Sequence, residues 1–210
     1  MTQQATLSAP AHGAPLIRDG RTARAERTRL AVVEAMLDLI EDGDLQPSAA
    51  RIAARAGVSL RSVFQHFDDM ESLLATVAEL QAARAFSDAR PVSAGLPLAR
   101  RIEAFVAQRA RLLERISPVR RAALLSEPFS TAVAGRLAWV RRRGHRDAER
   151  VFAPELARRA AADRRDLADA LTVACSWSTW EALRAHRGIS PARARRIIVR
   201  TVTALLKEES

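Results

Sequence analysis

Helical spacing of apolar side chains governs most of this chain. From about Ala23 onward, Leu30, Val33, Leu37 and Ile40 recur at steps of three and four, which predicts one apolar helix face, and Gly43 stands just past it as a stop. After Pro47, Ser48 is placed to cap a short helix over 51–55, Gly57 breaks it, and Ser59 caps another that reaches about His66. Asp68 or Asp69 then opens a longer helix carrying Leu73, Leu74, Val77 and Leu80. Residues 87–97, with Pro91, Gly95 and Pro97, read as a linker. Beyond it the pattern predicts helices over about 98–116, after Pro118, over 130–152, after Pro154, over 163–186, and a last one opened by Ser190 and Pro191. No period-two alternation and no internal repeat is visible. Residues 1–20, with Pro10, Gly13, Pro15 and Gly20, read as a flexible arm.

Composition agrees with the periodicity. Of 210 residues, 48 % are hydrophobic, 4 % aromatic and none is Tyr, and Ala, Leu and Arg lose little rotamer freedom in a helix. The expected class is therefore all-α. It divides into an arm (1–20), a three-helix helix-turn-helix head (21–68) and a larger helical body (69–210). One cysteine, Cys175, excludes an internal disulfide framework and a multi-thiolate metal site, and fits a reducing compartment. No apolar run approaches the roughly 18–20 residues that span a bilayer. Residues 1–20 lack the pattern of a signal peptide, so the expected location is cytoplasmic, away from membranes.

The formal charge of +10 is unevenly spread. Residues 1–75 carry eight Arg against ten Asp and Glu, and residues 76–210 carry 26 Lys and Arg against 14 acids. The basic surplus thus lies outside the head, and a genome bias toward Arg codons explains it as well as function does. Local patterns decide more than bulk charge here.

Residues 47–67 have the layout of a helix-turn-helix, in which two short helices cross steeply with a three- or four-residue turn between them. Ala53 is small enough for close crossing, and Gly57 suits a left-handed turn. Ile52, Val58 and Val63 can fill the space between the helices, leaving Leu60, Arg61, Ser62 and Gln65 to face away. Such side chains reach base edges in a major groove. With Ser48, Ser59, Phe64 and His66 they form the candidate DNA surface.

At these residues the chain resembles the TetR family of transcriptional regulators. The resemblance rests on Ile52-Ala53, Ala56-Gly57-Val58-Ser59, Phe64-Gln65-His66-Phe67 and Glu71-Ser72-Leu73-Leu74, with Ala35 and Leu39 before Gly43. It covers about residues 24–80. It implies a DNA-binding head joined to a variable helical body that dimerises and binds a small effector. It also implies repression that ends when the effector binds, and a pseudo-palindromic site in double-stranded DNA. Some positions depart from the family's pattern. Phe64 stands where a phosphate-binding Tyr is common and Met70 where Lys is common, while Asp68 and Asp69 add negative charge. The basic cluster Arg18, Arg21, Arg24, Arg27 and Arg29 either compensates or is a solvated helix face. His66 either contacts phosphate or packs the end of its helix.

In the body, Phe86, Phe105, Leu112, Trp139, Trp177 and Trp180 are candidates to line an effector cavity, or are ordinary core. A body without a cavity of about 300 Å³ would instead point to a constitutive or partner-controlled protein. Leu167, Leu171 and Ala174, with Ile198, Val202 and Leu205, form apolar faces on the last two predicted helices. They are candidates for a homodimer interface or for an intramolecular core. No enzyme is expected. His145-Arg146-Asp147 and Ala153-Pro154-Glu155 echo kinase motifs, but Phe152 stands where a kinase needs its metal-binding Asn. The four His residues have no metal-ligand spacing, and no cofactor is implied. The competing reading is a helical protein-interaction module whose head does not bind DNA.

Overall fold

The computed structural model describes residues 18–87 and 90–207, the side chains of Arg18 and Asp19 excepted. Most of the arm expected over 1–20, residues 1–17, lies outside the described residues. Helices α1 (Arg18–Glu41), α2 (Ala49–Ala56), α3 (Leu60–His66) and α4 (Met70–Phe86) are followed by α5 (Leu98–Ser126), α6 (Thr131–Val151) and α7 (Ala153–Leu156). Then come α8 (Ala161–Ala174), α9 (Trp177–Glu181), a π-helical turn (Ala182–His186) and α10 (Pro191–Lys207). Among the described residues there is no strand, and no helix is long and apolar enough to cross a membrane.

Local chemistry sets the ends of the short helices. The Ser48 hydroxyl accepts from the Arg51 amide at 3.3 Å to start α2, and Ser59 accepts from the Ser62 amide at 3.1 Å to start α3. Gly57 ends α2 in a left-handed conformation (φ +66°), and the following Val58 amide returns to the Ala53 carbonyl at 3.0 Å. Asp69, rather than Asp68, caps α4, accepting from the Ser72 amide at 2.7 Å.

Two cores result. The head core joins Val33, Leu37 and Ile40 of α1 with Ile52, Ala53, Val63 and Phe67. It continues into α4 through Leu73, Leu74 and Val77, and takes Val119 and Ala122 from α5. Leu30, expected on the buried face of α1, is half exposed, because full burial along α1 begins only at Val32. The body core centres on Phe105 and Phe152, whose rings meet edge to face at 5.4 Å, with Leu113, Leu171, Trp180, Ile198 and Val202 around them. Arg101, also buried, is held there by Glu155 (2.6 Å) and the Val151 carbonyl (3.1 Å).

Three body elements differ from the sequence expectation. The helix predicted to stop near Ile116 continues through Pro118 to Ser126. Proline removes one backbone donor, but Leu113, Val119 and Ala122 are buried on either side of it, and their packing holds the helix together. The single helix predicted over 163–186 is broken at Cys175, where the Ser176 hydroxyl caps α9 by accepting from the Thr179 amide at 3.1 Å. The predicted linker is tied down in its described part: Val92 is buried, its carbonyl accepts from Arg150 at 3.2 Å, and the Arg90 carbonyl accepts from Gln108 at 2.7 Å.

Candidate functional site

Helix α3 is only seven residues long and buries one side chain, Val63, in the head core. That single anchor, with Phe67 just beyond the helix, fixes which face turns outward. Leu60 (47 % exposed) and Phe64 (52 %) stand one turn apart, and exposed Arg61 and Gln65 lie beside them on the same side. Ser62 is half-buried, with its hydroxyl 2.8 Å from that of Ser59. Ser48 and Ser59 are both exposed and both engaged as helix caps, so they border the surface at the two positively polarised helix starts. His66 is half-buried at the last turn.

The basic cluster on α1 splits in two. Arg29 lies over the Phe67 ring at 5.0 Å and reaches Thr76 at 3.5 Å, which fastens the end of α3 to α1 and α4. Arg21, Arg24 and Arg27 are exposed, at spacings that put them on one side of α1, and pair with no carboxylate among the described residues. The side chain of Arg18 is outside the described set.

The six candidate effector residues do not line one cavity. Phe86 and Leu112 border a cleft of about 120 Å³ between α4, α5 and α6. Trp180 borders a second hollow of about 200 Å³ beside the π-helical turn. Phe105 is core. Trp177 donates to the Ser117 hydroxyl at 3.0 Å and lies under Arg120. Trp139 lies outside both hollows, under Arg136 and Arg143. Both hollows fall short of the roughly 300 Å³ expected of an enclosed ligand pocket.

The candidate dimer residues also move. Leu171, Ala174, Ile198 and Val202 are buried in the body core of their own subunit, with Leu167 and Leu205 packed against it. Of the two readings, their burial fits the intramolecular core: α10 packs on α5 and α8, and α8 packs on α6. The outward faces carry Asp166, Asp169 and Val173 (64 % exposed) on α8, and Arg196, Arg200 and Ala204 on α10.

Sequence reasoning missed a polar seam between α5 and α9. Glu114 accepts from Trp180 at 2.9 Å and from Arg184 at 2.8 Å, and Arg121 grips both oxygens of Glu181 at 2.7 and 2.9 Å. The hydrogen bond from Arg184, then that from Trp180, holds the Glu114 carboxyl below its ordinary range despite partial burial. The basic surplus of residues 76–210 was visible in the sequence, but not that Arg109, Arg111 and Arg115 of α5 meet Arg143 and Arg150 of α6 around the α4–α5–α6 cleft. Burial pushes the Cys175 thiol up to about 11, so it stays protonated at neutral pH and is a poor nucleophile. Asp147 of the kinase-like triplet pairs with Arg150 at 3.5 Å, and His145 bonds Thr172 at 3.0 Å.

No family model matches the chain, and no curated protein matches its sequence. Solved structures do match. A transcriptional regulator from Rhodococcus sp. Rha1 superposes with a TM-score of 0.64 at 18 % identity, over 87 % of this chain and 96 % of that one. A second Rhodococcus sp. protein, provisionally assigned to the TetR family of transcriptional regulators, superposes with a TM-score of 0.63 at 18 % identity, over 87 % of this chain and all of the other. A gamma-butyrolactone receptor follows at 0.50 and 21 %, over 89 % of this chain and all of its own. At such identities the likeness is one of architecture: the chain has the all-α fold, helix-turn-helix head on helical body, of TetR-type regulators.

Proposed function

We propose that the protein is a sequence-specific DNA-binding transcriptional regulator, with no catalytic activity, that acts as a homodimer and represses until a small molecule releases it. One observation carries the DNA-binding part. The outward side of α3 presents Arg61 and Gln65, side chains that make bidentate contacts to guanine and adenine, on a helix held to the head by Val63. Leu60 and Phe64 beside them suit the methyl groups of thymine. Exposed Arg21, Arg24 and Arg27 on α1 supply the phosphate contacts that Phe64 and Met70 do not.

The dimer reading now rests on the outward faces of α8 and α10. Acidic Asp166 and Asp169 on one and basic Arg196 and Arg200 on the other complement each other across a two-fold axis, with Val173 and Ala204 between. Two heads related by that axis read a pseudo-palindrome. Cavity volume alone favours constitutive or partner control, so release by a ligand rests on the open cleft instead: α4 seats Leu73, Leu74 and Val77 in the head core and ends with Ala85 and Phe86 at that arginine-lined opening. A ligand preferring one tilt of α4 shifts the heads; equal affinity for both tilts shifts nothing.

A second reading has one observation behind it: Leu60 and Phe64 expose apolar surface within a stretch, residues 1–75, that carries ten acids against eight Arg, as a protein-docking face would. Selection from random double-stranded DNA separates the two. Enrichment of a palindromic motif, protected in footprinting at moderate salt, supports the regulator. Absence of enrichment even at low salt leaves the protein-docking reading.

A further inference from the structure

Among the described residues, the cleft between α4, α5 and α6 is lined by five arginines, Arg109, Arg111, Arg115, Arg143 and Arg150, and one carboxylate, Asp147. That carboxylate already sits 3.5 Å from Arg150. Arg111 and Arg143 have no carboxylate within ion-pair distance among the described residues. Arg143 is instead clamped by rings, 4.6 Å from the centre of Phe86 and 5.7 Å from that of Trp139. Arg109 is the deepest: its guanidinium lies over Gly144 of α6, where an added Cβ would be 3.4 Å away, and it donates to the Cys175 carbonyl at 3.2 Å. Burial of that cation lowers its affinity for its proton, an effect that neighbouring Cys175 and Asp147 oppose. Apolar walls from Phe86, Leu112 and Pro91 complete the cleft.

Like charges gathered at a cleft concentrate anions, with Arg109 deep and Arg111, Arg115, Arg143 and Arg150 exposed around its opening, and the planar guanidinium fork matches a carboxylate with two parallel bonds. The volume of about 120 Å³ admits only a small group, and the cleft opens to solvent on one side. We infer that this cleft binds a small organic carboxylate, its charge held by Arg109, Arg111 and Arg143 and its apolar part resting on Phe86 and Leu112. The inference rests on the effector reading above and gives that effector a chemical class.

Ligand binding is measured first without DNA, and DNA affinity is measured beside it. The purified full-length chain is titrated with benzoate, hexanoate and decanoate, each beside its amide and the matching primary amine, and binding is read from melting temperature and tryptophan emission. Carboxylates are expected to raise the melting temperature and to change the emission of Trp139 beside Arg143, while amides and amines do neither. Replacing Arg111→Gln and Arg143→Gln together is expected to weaken carboxylate binding at least about tenfold. If that variant does not fold, the same comparison is made with Arg143→Lys, which keeps the charge and loses the fork. Equal binding of amides, no binding of any carboxylate at millimolar concentration, or undiminished binding by the variants overturns the inference. So does a variant that binds carboxylate normally but loses ligand-free affinity for DNA, since the arginines then serve the nucleic acid. Carboxylate binding without any change in operator affinity leaves the anion site standing and removes the release mechanism instead.

Discussion

The head and the body are built from the same residue types by different rules. In the head, helices of eight and seven residues start and stop at Ser48, Gly57 and Ser59, each acting on atoms no more than four residues away. In the body, α5 runs 29 residues through a proline, and the next long helix pair is broken where no Gly or Pro stands. The partners that settle those shapes are 60 or more residues away, as in the pairs of Arg121 with Glu181 and Glu114 with Trp180. Short elements are decided by caps because they have little surface to bury. Long ones are decided by what they pack against. The functional consequence follows the same division: the candidate reading face is local to α3, and the candidate ligand cleft exists only where three helices meet.

The largest expected effect lies in the body. Val202→Glu puts an unpaired charge into the core and should cost about 3–5 kcal/mol, seen as lost cooperative unfolding in urea. Val173→Glu, on the outward face of α8, should leave subunit stability within about 0.5 kcal/mol and shift the monomer–dimer balance in sedimentation. If instead Val202→Glu melts like the native chain and only dissociates it, the buried face of α10 is the interface after all.

Next comes the reading face. Arg61→Ala should cost about 1–3 kcal/mol on the selected site and little on random DNA, measured by competition binding. An equal loss on both would make Arg61 a phosphate contact.

Two glycines sharpen the contrast between regions. Gly57→Ala forces a side chain into φ +66° and should destabilise the head by about 1–2 kcal/mol in denaturant. Gly144→Ala, inside α6, should stabilise by up to about 1 kcal/mol, because its Cβ meets only the Arg109 guanidinium at ordinary contact distance. Loss of stability at Gly144 would mean that the buried arginine cannot give way. Smallest of all, Asp42→Asn removes an exposed pair with Arg55 (2.9 Å) and should change stability by less than about 1 kcal/mol.

Periodicity, caps and the left-handed glycine made the head legible: Ser48, Gly57, Ser59 and Asp69 all act where their side chains predict, and Arg61 and Gln65 face outward. The same spacing arguments misplaced Leu30, and they found the apolar faces of α8 and α10 without telling which of core and dimer they served. A helix face of Leu171, Ile198 and Val202 says that something covers it, and only the positions of α5 and the neighbouring helices say what. Aromatic content located the cleft only in part, since Phe86 borders it while Phe105 and Trp180 fill the core and arginines line the opening.

The sequence by itself determined the helical class, the helix-turn-helix with its ends, and the residue types offered to a groove, because each depends on backbone preferences and hydrogen bonds within one or two turns. The tertiary structure decided that α5 passes unbroken through Pro118 and that the last two helices spend their apolar faces inside the subunit. It also gathered five arginines from two helices around a cleft that α4 closes. Those outcomes depend on burial and charge between segments far apart in the chain, where no local preference acts.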